Sequence, residues 1–294
     1  MIPLPPGLQD SIEQVRTVIA GALQSAVIGP DADERRAQVI DAPGERWFDD
    51  SSPVRTVHSD SSMFIGGLRA LLLQTLHPLA MAGVAEHSDY RTDPWGRLQR
   101  TAEFLAATSF GPADVAQHAV DRVNAVHRMV TGTAPDGRPY AASDPHLLRW
   151  VHVAEIDSFL ASYQAYGAGR LTPHQADGYV AGMAVVARKL GVTAPPLSVR
   201  GLHDQISMFR HELRSTPQSR DAVHWLLVEP PLDPARRVPY MVIAAAAVAT
   251  LPLWARNELR IPKLPLVDEL VVRPAGALLA RTFRWAMAAD APVP

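Results

Sequence analysis

Residues 93–112 read DPWGRLQRTAEFLAATSFGP, and this stretch decides the fold. Aspartate before proline is the expected opening of a helix: the carboxylate caps free backbone N–H groups, and proline is preset for the first helical position. Gly111 and Pro112 supply the stop. The same signals recur on the C-terminal side, where Asp144 stands before Pro145 and Thr172 before Pro173, each opening a run of helical apolar spacing. Runs alternating strictly between apolar and polar residues are scarce, so the pattern predicts an all-α fold.

Toward the N-terminus, residues 63–76 are apolar on most sides, as expected of a central helix, and Gly66 and Gly67 would admit a closely packed neighbour. His77 and Pro78 interrupt that helix before residues 79–85 resume or restart it. Residues 10–27 predict a first amphipathic helix with Ile12, Val15, Ile19 and Leu23 as its stripe. A short helix is expected at 31–40, followed by a surface connection at 41–53 carrying Trp47 and Phe48 as docking residues. Toward the C-terminus, helices are expected at 112–129, 144–166 and 172–190, with a turn-rich link at 131–142. Shorter or proline-interrupted helices follow at 198–215, 218–228, 240–254 and 274–289. With no repeat and no linker, the expectation is one globular all-α domain over 1–294, of about ten helices, with a cofactor pocket between the central ones.

The chain has 294 residues, 47% apolar and 20% charged, which excludes wholesale disorder. A formal net charge of −2 speaks against binding nucleic acid or anionic membrane through bulk charge, leaving only a local patch. The absence of cysteine removes disulfides, zinc fingers, iron–sulfur ligation, thiolate haem ligation and cysteine nucleophiles. Of 28 basic residues only Lys189 and Lys263 are lysine. The first eleven residues carry proline and acid where a secretory signal would be basic and then apolar, so the expected location is cytoplasmic. Residues 240–255 are too short and too alanine-rich for a membrane span and read as a buried helix, with peripheral membrane contact as the minority option.

Several side chains are candidates for chemistry. Arg97, Arg100 and Thr101 share one side of a helix, and two neighbouring guanidiniums repel unless an anion or carboxylates lie between them. Spacing alone favours a solvated helix face, or pairing with Asp89, Asp93 or Glu103. His127 has valine at i−4 and i+3, so its imidazole either donates to a carbonyl or ligates a metal. His152 is the best competing ligand, while His77 and His87 flank a break and could approach one another. His211 with Glu212, and His203 with Asp204, read as structural or surface neighbours. Gly-X-Ser-X-Gly, Walker and strand-linked Gly-X-Gly-X-X-Gly motifs are missing, so serine hydrolases, P-loop NTPases and Rossmann dehydrogenases lack support.

The ordered set GGLRALLLQTLHPLAMAGVAEHS, RLQRT, VNAVHRMVTG and SDPHLLRWVH resembles the mpaB-type oxygenase family, which includes the rubber oxygenases called latex-clearing proteins. The likeness is strongest over 61–167 and looser in the C-terminal third. It implies a helical fold, haem b and dioxygen as co-substrate. By position, His127 matches the proximal iron ligand, and Arg97 and Thr101 match the arginine and threonine of the family's Arg-X-X-Lys-Thr pattern.

The pattern's lysine is replaced here by Arg100. Arginine stays protonated and has no lone pair to give, so it is not an ordinary distal ligand. The expectation becomes a five-coordinate or water-bound iron, or another distal residue, with Arg100 facing the distal pocket and Glu86 the nearest acid or base. The departure also counts against rubber and leaves a smaller hydrophobic alkene as plausible a substrate. The leading expectation is a haem-dependent oxygenase acting on an apolar substrate. The alternatives are a non-haem metal oxidoreductase using His77, His87, His127 and His152, and a noncatalytic helical module that binds haem or a hydrophobic ligand.

Overall fold

Short polar caps followed by proline set five of the helix starts. The computed structural model describes residues 6–27, 37 and 39–288. Its helices are α1 (Pro6–Val27), α2 (Pro53–His58), α3 (Met63–Gln74), α4 (Pro78–His87), α5 (Pro94–Phe110) and α6 (Ala113–Met129). After a β-hairpin come α7 (Pro145–Tyr166), α8 (Pro173–Lys189), α9 (Val199–Phe209), α10 (Pro217–Leu227), α11 (Pro234–Thr250) and α12 (Leu253–Glu258). The last helix, α13, joins Pro265–Val267, a π turn at Asp268–Val272 and Arg273–Met287. Ser52, Asp93, Asp144, Thr172 and Thr216 each accept a backbone N–H at the start of a helix whose first residue is proline.

The expected link at 131–142 holds a hairpin, β1 (Thr131–Thr133) against β2 (Pro139–Ala141), with Gly132 opposite Tyr140. Asp136 and Gly137 turn it, and Gly137, at φ +84°, takes a conformation that side-chain-bearing residues rarely adopt. The helix at 240–254 starts earlier, at Pro234, and tolerates Pro239 near its beginning. The helix expected at 31–40 lies outside the described residues apart from its last positions. Along α1, Val15 is exposed, Ile19 half-buried and Ala20 buried. The side chains of Ile12 and Leu23 lie outside the described residues.

The core is built on α3 laid against α7, enclosed by α2, α8, α9, α10 and α12. Leu72, Leu73, Leu76, Trp150, Ile156 and Tyr179 are fully buried there, and each such aliphatic side chain contributes about 1.5–3 kcal/mol. A Cβ on Gly66 would stand 2.8 Å from the Phe159 ring and 3.1 Å from its Cα, so this glycine sets the α3–α7 approach. Gly67 has nothing near it. Buried Arg69 ties three helices: its guanidinium meets Asp157 at 2.8 Å and Ser158 Oγ at 2.7 Å on α7, and donates to Thr250 O on α11 at 3.2 Å.

A second apolar layer joins α3 and α7 to α11 and α13, with Ala244, Ala246 and Ala247 buried as expected of that alanine-rich stretch. Arg284 anchors α13 on buried Asp60 at 3.0 Å. Among the described residues no single helix is long and apolar enough to cross a membrane.

Candidate functional site

α5 and α6 pack as an antiparallel pair, Arg122 meeting Glu103 at 3.3 Å, which brings the start of α5 alongside the end of α6. Arg97 and His127 therefore occupy the same open end of the hairpin. Arg97 is half-buried. Its guanidinium donates to Ser88 Oγ just past α4, and it has no acidic partner among the described residues. Burial lowers its pKa, and Arg100 adds repulsion.

Arg100 turns outward and pairs with Asp93 at 3.1 Å. Asp93 also accepts Gly96 N–H at 2.9 Å, and these bonds hold its carboxyl below the usual range. Thr101 is exposed and donates to Arg97 O at 3.0 Å. Of the three residues that share a helix side, only Arg97 faces inward.

His127 sits in the last turn of α6 beside a pocket of about 200 Å³ formed with Asn124, Ser143, Leu148 and the end of α8. Its Nδ1 is buried without a hydrogen-bond partner, and burial lowers the ring's pKa. Val123 and Val130, its helical neighbours, are half-buried, whereas Val126 and Met129 are exposed by 54% and 82%.

One turn beyond Leu148 on α7 lies His152, whose Nε2 is also buried and unpartnered, with its pKa pushed down to about 4 by burial. Glu155 follows at i+3. It is half-buried, has no hydrogen-bond partner among the described residues, and burial pushes its carboxyl up to about 7.

Glu86 and His87 belong to a separate knot under the β-hairpin. Tyr140 donates its hydroxyl to Glu86 Oε2 and lies 3.1 Å from His87 Nε2. Gly132 leaves the space this hydroxyl occupies, since a Cβ there would overlap it. Burial pushes the Tyr140 hydroxyl up to about 12. Because Ser88 reaches Arg97, this knot adjoins the open end of the α5–α6 hairpin.

His77 lies elsewhere, at the start of α4. Its Nε2 is 3.3 Å from Glu212 Oε2, and His146 Nε2 is 2.8 Å from Glu212 Oε1. The three ligand-type atoms fall within 4.8 Å of one another, a two-histidine, one-carboxylate grouping of the kind non-haem iron can use. The outer ring nitrogens argue for a different chemistry. His77 Nδ1 accepts Ala80 N–H at 3.5 Å, and Arg149 Nη2 approaches His146 Nδ1 at 3.3 Å as a donor. Both rings thus carry their proton on Nε2 and donate to Glu212, whereas a metal-bound ring needs that nitrogen free and an acceptor at the other. Burial opposes ionisation of Glu212, but the bonds from His146 and His77 outweigh it and hold the carboxyl low.

His77, His87, His127 and His152 thus have four separate environments, and no cluster among the described residues joins them. Sequence reasoning passed over His146 as a site residue, and with it the buried relay in which His58 Nδ1 meets Ser109 Oγ at 2.7 Å and His58 Nε2 meets Tyr179 Oη at 3.2 Å. Burial drives His58 down to about 3, so it is neutral. No short motif marks either group, because their members are distant in the chain.

Searches of curated proteins and of solved structures return no match. A family model, "ER-bound oxygenase mpaB/B'/Rubber oxygenase, catalytic domain", matches residues 55–287, from α2 through α13 and well past the 61–167 stretch that carries the clearest motifs. The chain therefore belongs to the mpaB/rubber oxygenase catalytic-domain family.

Proposed function

We propose that this oxygenase uses haem b and dioxygen on an apolar, alkene-containing substrate, with His127 as the proximal iron ligand. The observation that carries the reading is the buried, unpartnered Nδ1 of His127. Leaving such an atom unpaired costs about 1–3 kcal/mol, a cost that a bond from this nitrogen to iron would remove. Its lowered pKa keeps the imidazole neutral at pH 7, as ligation requires. Arg97, half-buried without a carboxylate partner, supplies positive charge for a propionate.

The donor set fits haem. The pocket volume, about 200 Å³, is below the roughly 300–1,000 Å³ of small-molecule sites, so holding the cofactor would require its walls on α6, α7 and the end of α8 to part. Exposed polar contacts hold α6 to the end of α8: Asn124 Nδ2 to Lys189 O at 3.0 Å and Lys189 Nζ to Gln117 Oε1 at 2.8 Å. Bonds of this kind are weak, about 0.5–1.5 kcal/mol each. When bound, haem supplies the redox chemistry for dioxygen. Leu148 would then give an apolar wall that excludes water. Arg100 must leave Asp93 to reach a distal position.

The test is reconstitution with haem b followed by absorption spectroscopy. A Soret band displaced or lost in His127→Ala and kept in His152→Ala, with product formed only under oxygen, is the expected result. The reverse pattern transfers ligation to His152. Oxygen-dependent activity from a haem-free protein with stoichiometric iron overturns the haem reading.

A further inference from the structure

We propose that the face formed by α13 and the adjoining 259–264 segment docks on an anionic phospholipid bilayer. α13 runs without a break from Pro265 through Met287, and its outer side is strongly apolar. Leu266, Leu270, Val271 and Leu278 are exposed by 76%, 72%, 60% and 65%, and Leu264 beside them by 52%. Water-exposed apolar side chains clustered on one helix mark an interaction surface, and a helix that pairs such a face with cations suits the boundary between headgroups and acyl chains.

The charges next to this stripe select the occupant. A cavity of about 530 Å³ opens between the ends of α7 and α11 and the start of α13. Its apolar floor includes Ala161, Ala165 and Leu251. Its two carboxylates are already engaged, Asp268 with buried Arg256 at 2.7 Å and Glu269 with Arg273 at 3.1 Å. Arg170 and Lys263 also line it and have no acidic partner among the described residues. In a chain of net charge −2, two unpaired cations thus stand beside the exposed apolar stripe of α13.

An anionic phospholipid satisfies both parts, its phosphate meeting Arg170 and Lys263 while neighbouring acyl chains receive Leu266 and Leu270. A second copy of the chain satisfies them poorly. A two-fold pair would set this patch against itself and bring like charges together.

The experiment is flotation of the full chain with vesicles of phosphatidylcholine, with or without phosphatidylglycerol, alongside light scattering of the free protein. Binding is expected to vesicles containing phosphatidylglycerol, and added salt should weaken it. Lys263→Glu should reduce it by about fivefold or more, as expected for removing a cation at an anionic surface. Leu270→Asp should abolish it. Both residues are exposed, so unchanged melting curves verify that the variants fold. Failure of the wild type to float, equal binding to both vesicle types, or variants that float like the wild type overturns the proposal. So does a homodimer that Leu270→Asp dissolves, which would give the face to a second copy. No arm of the experiment depends on haem or turnover.

Discussion

Replacing Glu155 by glutamine tests whether the carboxyl three residues past His152 on α7 is held protonated by burial. In the wild type burial raises this group from 4.5 to about 7. The native chain therefore keeps a proton that the unfolded chain releases, and the associated stability is fully present below pH 4.5 and lost as pH rises toward 7. At about 1.4 kcal/mol per pKa unit, the loss reaches about 3 kcal/mol by pH 8. Glutamine has no proton to lose, so Glu155→Gln should gain on the wild type across that window, by up to about 3 kcal/mol at its alkaline end. For a chain of this length the gain corresponds to roughly 6 °C in Tm. Urea unfolding of both proteins at intervals from pH 4.5 to 8 measures the difference directly. His58 and His152, buried and neutral with pKa values of about 3 and 4, make both proteins less stable as pH falls below 6.5, and they cancel in the comparison. A difference that stays constant with pH would mean that Glu155 titrates normally in the folded chain, and its assignment as a carboxyl kept protonated by burial would fail.

Arg69→Met should destabilise by about 3–5 kcal/mol, because it strands buried Asp157, and pairing it with Asp157→Leu should recover much of the loss; urea titration with an unchanged m-value is the check. Gly66→Ala should cost about 1–3 kcal/mol, since its Cβ must displace Phe159 or the backbone of α7, and thermal melting by circular dichroism reads it. At the His77–His146–Glu212 cluster, EDTA should leave Tm unchanged while Glu212→Gln lowers it at pH 7. The low pKa of Glu212 makes its contribution present above the unfolded value of 4.5 and lost as pH falls through the folded one, so the deficit should shrink in acid. A chelator-induced drop in Tm would restore the metal reading of that cluster.

How far the sequence could be read depended on how local each cause is. The starts of α5, α7 and α8 are settled within three or four residues, by Asp93 with Pro94, Asp144 with Pro145 and Thr172 with Pro173, and all are legible. The hairpin at 131–141 escaped because strands of three residues have no measurable alternation, leaving only the Asp136–Gly137 turn as a signal. At the site, helical spacing correctly grouped Arg97 with Arg100, but three residues on a helix still differ by about 60° in direction. That angle is enough for one guanidinium to meet Ser88 indoors while the other meets Asp93 in solvent. Which of them turns inward is decided by where α4 ends, a tertiary fact.

The same limit hid Glu212. The sequence set it beside His211 with the two side chains pointing apart, but His211, though 79% exposed, brings Nε2 to 3.8 Å from Glu212 Oε1. The partners that matter, His146 and His77, lie 66 and 135 residues away along the chain. Around His127 the local and tertiary signals differ in an instructive way. Its flanking valines predicted an apolar stripe, and Val123 and Val130 are half-buried, yet Val126 and Met129 stand in water while Nδ1 is sealed off without a partner. A histidine serving only the core would have its buried nitrogen paired and its apolar neighbours covered. If His127 holds iron as proposed, a flat apolar cofactor bound through its imidazole would cover the rim of Val126 and Met129 and pair Nδ1 at once.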